Sequence, residues 1–181
     1  MKNVNDTNPM CFGCGKNNPI GLHMHFKVDE NGCSSHFTPE PCHQSYDGRM
    51  HGGLISTLLD ETMGNYPYLY EHRVAYTARL EVRFRSPVLI GETIEIVTKV
   101  KRRKGLLLEM TGEVIRPDGT VAAEADAKMM YEGERGVTKK FGRMSLLIWN
   151  PMPPILSAMM TWAATCGIKE KGWEPCGRKL N

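Results

Sequence analysis

Four consecutive runs between residues 76 and 131 alternate apolar and polar side chains, and the links between them are too short to hold a helix. In 76–85, Ala78, Leu80, Val82 and Phe84 alternate with Arg79, Glu81, Arg83 and Arg85. A period of two describes strands with one buried face. The pattern repeats in 93–100 (Ile94, Ile96, Val100), in 106–115 (Leu106, Leu108, Met110, Val114) and in 121–131 (Val121, Ala123, Ala125, Ala127, Met129). The links Pro87 to Gly91, Lys101 to Gly105 and Pro117-Asp118-Gly119 have hairpin length, which favours antiparallel pairing. Upstream, residues 20–28 alternate as well, with Leu22, Met24, Phe26 and Val28 set against His23, His25 and Lys27. Glu30-Asn31-Gly32 reads as a turn and Ser34 to Thr38 as a returning strand, ended by Pro39 and Pro41. Between these halves, Gly52 to Glu71 is the only long helical pattern of the central region. Leu54, Ile55, Leu58, Leu59 and Met63 share one side, and Gly53, Thr57, Asp60 and Gly64 the other. Pro67 leaves the end of this helix open. A single helix covering one sheet face is an α+β architecture.

The pattern breaks after Tyr131, so the sequence divides into a domain at 1–132 and a C-terminal extension at 133–181. Glu132 to Gly142 is charged and Gly-rich, a linker; Asn150-Pro151-Met152-Pro153-Pro154 is a breaker; Ile155 to Cys166 reads as a short helix. With 41% hydrophobic and 24% charged residues the chain has the material for a core, which excludes disorder and collagen. Its 23 basic residues nearly balance 20 acidic ones, too even to argue for nucleic acid. No apolar run approaches the roughly 18 residues of a membrane span. The polar start, Met1 to Pro9, shows no secretory pattern. The expectation is a cytoplasmic protein whose six cysteines are thiols or metal ligands.

His51-Gly52-Gly53 opens the helix, with Asp60 and Glu61 inside it. A helix start has unpaired N–H groups and partial positive charge, and glycine admits a substrate to the backbone. An N–H there can hold an oxyanion developing on an ester or thioester carbonyl. The plainer reading is a Gly-rich helix start without chemical duty, and for Asp60 a solvated helix carboxylate. If Gly53 and Asp60 do serve one reaction centre, geometry adds a constraint. Seven residues at about 1.5 Å rise separate them by about 10 Å, beyond the reach of one carbonyl. Antiparallel helices across a two-fold axis would bring Asp60 of one chain to Gly53 of another, placing the site between subunits.

The stretch His51 to Gly64, HGGLISTLLDETMG, resembles the hotdog-fold acyl-CoA thioesterases of the phenylacetate-pathway (PaaI-like) type. Cys11 to Leu22, CFGCGKNNPIGL, is similar to the lead-in of one branch of that family. Thr77 to Val88, TARLEVRFRSPV, resembles its first long strand, and Gly91-Glu92 the turn after it. The resemblance covers about residues 11–131. It implies a hotdog fold, in which a curved antiparallel sheet wraps one long helix, and a homodimer or dimer of dimers with sites at the interface. It further implies Asp60 as nucleophile or general base, Gly53 as the oxyanion N–H and His51 as a turn-shaping or carbonyl-polarising group. Gln44 would position the thioester or water, and Thr77 would orient the water. Gly52 would line the substrate, and Glu61 is the fallback carboxylate. The substrate would be an acyl-CoA, and no cofactor beyond its coenzyme A moiety is implied. A carboxylate suits the task because it is already ionised at neutral pH.

Lys101-Arg102-Arg103-Lys104 is a basic run at an expected hairpin tip. Its plain reading is a solvated tip that protects strand edges. Its functional reading is contact between Arg102, Arg103 and coenzyme A phosphates, with Arg83 and Arg85 competing for that role. Cys11-Phe12-Gly13-Cys14 has the spacing of half a zinc knuckle, which Cys33, Cys42 and His43 would have to complete. One such pair is a weak signal, and the expectation is a tight turn with small thiols and no metal. The expected function is acyl-CoA hydrolysis. The alternative is a non-catalytic acyl-CoA binder on the same fold. A hydratase would need a His/Asp or His/Glu pair for which the sequence offers no motif.

Overall fold

The computed structural model describes residues 8–133. The chain divides into two units, Met1–Glu132 and Gly133–Asn181, and the first is described below. The expected linker, breaker and short helix of the extension lie outside the described residues.

Six strands, β1 (Phe26–Val28), β2 (Gly32–Phe37), β3 (Ala75–Phe84), β4 (Ile94–Lys104), β5 (Leu107–Ile115) and β6 (Val121–Tyr131), form one antiparallel sheet. Its order is β1-β2-β4-β5-β6-β3. One helix, α1 (Gly52–Leu69), packs on the inner face. This is the expected α+β hotdog arrangement. Among the described residues no helix is long and apolar enough to cross a membrane.

The helix seats on its apolar stripe. Ile55, Leu58, Leu59, Met63 and Tyr66 are buried against Ile94, Ile96, Leu108, Met110, Val114 and the alanines of β6. The inner face is made of small residues where α1 comes closest. A Cβ on Gly112 would meet Met63 Cε at 2.7 Å and Leu59 Cδ2 at 3.1 Å, so this strand glycine permits the close approach. Met63 and Leu59 fill the place its side chain leaves open.

The β4–β5 and β5–β6 hairpins form where the turn residues predict them, through glycines with positive φ at 105 and 119. The third expected hairpin does not form. β3 pairs with β6 and lies at the opposite sheet edge from β1, with β5 and β6 between it and β4. The link carrying Pro87 to Gly91 crosses the sheet and is pinned on the way, by Met50 N–H to Val88 O at 2.9 Å and Gly91 N–H to Pro39 O at 2.8 Å. Nine residues reach up to about 30 Å, ample for three strand spacings of about 4.8 Å.

The first strand is also shorter than expected. Leu22 and Met24 are buried, yet only Phe26–Val28 joins the ladder with β2. The amides of Leu22 and Met24 instead bond to the carbonyls of Phe12 and Gly13, at 2.7 and 2.9 Å. His23 has φ 50, outside extended geometry. The N-terminal segment has taken this stretch as its own partner.

Candidate functional site

The start of α1 is capped by its own N-cap side chain. His51 is extended (φ −67, ψ 129), and its Nδ1 accepts the Gly53 N–H at 2.9 Å. This satisfies one of the orphan amides of the first turn. It also fixes the imidazole, because a ring nitrogen that accepts a hydrogen bond leaves the proton on Nε2. The Gly53 amide has one hydrogen, and it is given to His51. In this structure the Gly53 N–H, the expected oxyanion donor, is directed at the His51 ring. Gly52 follows the cap, with Phe84 of β3 at van der Waals distance from its Cα side.

Two turns along, Asp60 is half-buried and its Oδ1 accepts the Thr77 hydroxyl at 2.7 Å. The cause of this contact lies in β3. Leu80, Val82 and Phe84 stand opposite Ala127, Ala125 and Ala123, on the helix side. Strict alternation would turn Ala78 to the helix and Thr77 away from it. Instead the register shifts between Thr77 and Arg79: Thr77 pairs with Met129 and Arg79 with Lys128, leaving Ala78 as the extra residue of a β-bulge. A bulge changes the phase of the strand and re-aims a side chain. Here it puts Thr77 on the same face as Leu80 and in reach of Asp60. No local signal in the sequence marks it.

Glu61 turns the other way. Its carboxylate lies against the N-terminal segment, with both oxygens 3.8 Å from Cys11 Sγ and Oε2 3.4 Å from Asn65 Nδ2. Burial pushes its carboxyl above the usual range, and the neighbouring Asp60 charge adds to that. Its hydrogen-bond partners, Cys11 and Asn65, are not those of Asp60. Gln44 is exposed, and its Oε1 accepts the Gly48 N–H at 2.9 Å, bracing the loop before the helix.

The basic run is not a free tip. It belongs to β4, which carries a register shift between Val100 and Arg102. The shift turns Arg103 inward, where Nη2 pairs with Glu71 Oε1 at 2.7 Å and bonds the Tyr66 hydroxyl, just beyond the end of α1. A cation at a helix C-terminus is favourable. Arg102 lies 3.8 Å from Glu109, and Lys101 bonds Asp126 at 2.8 Å. Arg102 and Arg103 thus sit at the far end of the helix from His51 with acidic partners. Arg83 is exposed on β3 opposite Glu124, nearer the helix start, and Arg85 pairs with Glu124 at 2.8 Å. Among the described residues Cys33, Cys42 and His43 do not join Cys11 and Cys14 in one donor group. Cys33 is buried in β2, its thiol pushed up to about 12 by burial, and Cys42 is exposed in the 3-10 turn Pro41–His43. The group that converges with Cys11 and Cys14 is Glu61.

Residues 47–123 match the family model of the thioesterase superfamily. A stretch of 76 residues, 41% of this chain, is 36% identical to 48% of the 3-hydroxyacyl-(acyl-carrier-protein) dehydratase FabZ of Anaeromyxobacter dehalogenans. The chain spans 42–62% of the length of the curated relatives it matches. The fold is similar to that of Escherichia coli PaaI, from the phenylacetic acid degradation operon, with a TM-score of 0.58 and 18% identity over 62% of this chain and 81% of that one. It is also similar to a hypothetical thioesterase protein of Streptococcus pneumoniae solved with coenzyme A, with a TM-score of 0.57 and 15% identity over 61% and 87%. The resemblance read from the sequence is borne out in the fold and in the superfamily pattern across α1 and the strands that follow.

Proposed function

We propose that the protein hydrolyses acyl-CoA thioesters at a site shared by two copies of the chain. The observation that carries this reading is the hydrogen bond from Thr77 to Asp60 Oδ1 on the outward side of α1. It orients the carboxylate and leaves Oδ2 to take a proton. The match to the thioesterase superfamily and the coenzyme A bound to the streptococcal protein support the reaction class and the ligand.

In this reading Asp60 removes a proton from water as the oxygen attacks the thioester carbonyl. The carbonyl oxygen becomes an oxyanion and receives the His51 Nε2–H, which Gly53 holds in place. A neutral imidazole at a helix start suits this electrophilic role, since it donates without first losing a full charge. The C–S bond then breaks, and the proton held by Asp60 passes to the leaving thiolate. Free acid and coenzyme A thiol result.

His51 and Asp60 of one helix are too far apart to serve one carbonyl, so the two groups come from different protomers. The free edge of β3 supports this assembly. Among the described residues its backbone pairs only with β6, and Tyr76 and Phe84 are 60% and 52% exposed. Edge-to-edge pairing of two β3 strands would cover both.

A second reading, a non-catalytic acyl-CoA binder, draws on the Gly53 amide being already engaged. The deciding experiment is thiol release from short, medium, long and aromatic acyl-CoAs. Asp60→Asn is expected to lower turnover about 10²- to 10⁴-fold with the fold intact. A 3-hydroxyacyl-CoA in the panel separates hydrolysis from dehydration by whether thiol or an unsaturated thioester appears. Mixing inactive Asp60→Asn and His51→Ala chains should restore about a quarter of wild-type activity, because random pairing leaves one intact site in half the dimers. Wild-type thiol release by Asp60→Asn, or none by the wild type on the whole panel, would end the hydrolase reading.

A further inference from the structure

We propose that Cys11, Cys14 and Glu61 form a site for a thiophilic divalent metal ion of the zinc type, which ties the N-terminal segment to the middle of α1. The two Sγ atoms and a Glu61 carboxylate oxygen lie within 4.8 Å of one another, the one such set of three donors among the described residues. They come from two elements fifty positions apart in sequence, so the convergence is tertiary.

The segment is built to present them. Gly15 N–H bonds to Cys11 O at 2.9 Å, which closes the Cys-x-x-Cys turn. The carbonyls of Phe12 and Gly13, between the cysteines, accept the Leu22 and Met24 amides, which anchor the turn to the core. Gly13 has no side chain for a definite reason. A Cβ there would stand 2.3 Å from Glu61 Cδ, so glycine is what lets the carboxylate lie against the turn.

Charge points the same way. Glu61 is half-buried beside Asp60, and its carboxylate faces the Cys11 thiol. A cation held between two thiolates and this carboxylate offsets the cost of desolvating its charge. Spacing then selects the cation. Zinc bonds of about 2.3 Å to sulfur and about 2.1 Å to oxygen, at tetrahedral angles, give an S···O edge of about 3.6 Å. Cys11 Sγ lies 3.8 Å from each Glu61 oxygen, a few tenths of an ångström away. Cys₂Glu leaves a fourth position for water. Binding releases the two thiol protons to solvent.

The test reads metal and not activity, so it stands apart from the hydrolase reading. Zinc is measured in the purified full-length chain, and cobalt(II) is then titrated into chelator-treated protein. About one metal ion per chain is expected, with a thiolate-to-cobalt charge-transfer band in the near ultraviolet. Cys11→Ser and Cys14→Ser should each abolish the band. Glu61→Gln, nearly isosteric and so the safer variant for folding, should weaken cobalt binding about 10- to 100-fold while circular dichroism stays native. No zinc and no cobalt band in the wild type would overturn the site. So would a band that survives Cys14→Ser, affinity unchanged in Glu61→Gln, or a Cys11–Cys14 disulfide in protein purified with reductant.

Discussion

Replacing Thr77 by valine removes one hydroxyl and keeps a β-branched side chain of nearly the same shape in β3. What is lost is the O–H donated to Asp60 Oδ1 at 2.7 Å. Hydrogen bonds to charged groups contribute about 1.5–3 kcal/mol. Thr77 is exposed, so solvent competes and the low end applies. At about 1.4 kcal/mol per factor of ten, kcat should fall about tenfold, and KM should change little because the bond holds the base and not the ligand. Thr77→Ser restores the hydroxyl and should recover most of the rate. Steady-state thiol release on the best acyl-CoA gives both parameters. The decisive comparison is the double variant. If Thr77 acts only through Asp60, then Thr77→Val made in Asp60→Asn should cost nothing further, and the coupling energy should equal the whole single-variant effect. A full tenfold loss on the Asp60→Asn background would mean that Thr77 acts on something other than Asp60, and a Thr77→Val enzyme as fast as wild type would mean that the bond does not hold the base.

His51→Ala removes the imidazole and frees the Gly53 amide; kcat should fall about 10²- to 10³-fold, with about 1 kcal/mol of stability lost with the cap, whereas retained turnover would make the Gly53 N–H itself the oxyanion donor. The third concerns pH. Burial holds the His43 imidazole below its usual 6.5, and its Nδ1 accepts the Glu40 N–H at 2.9 Å, which a protonated ring cannot do. The unfolded chain takes up that proton near 6.5 while the folded one does not, so stability falls as pH drops through 6.5 towards the folded value. The loss of Tm between about pH 7.5 and about pH 5.5 should be smaller in His43→Asn than in wild type, and equal losses would contradict the assignment.

Local periodicity carried much of this protein. The helical stripe of Leu58, Leu59 and Met63 named the buried face of α1 and so put Asp60 on the other side. The alternation of Ile94, Ile96, Leu108 and Met110 named the inner face of the sheet. Such patterns are legible because side-chain direction repeats with the backbone, residue by residue. What tertiary structure alone decided lies where that repeat is broken or where distant segments meet. The bulge at Ala78 reverses the phase of β3 and delivers Thr77 to Asp60, and the shift after Val100 brings Arg103 to Glu71. The place of β3 beside β6, and the meeting of Glu61 with Cys11, depend on which strand edges and cavities remain once the core has closed. No window of neighbouring residues holds that information, because the free energy that selects among these pairings is distributed over contacts between parts of the chain far apart in sequence.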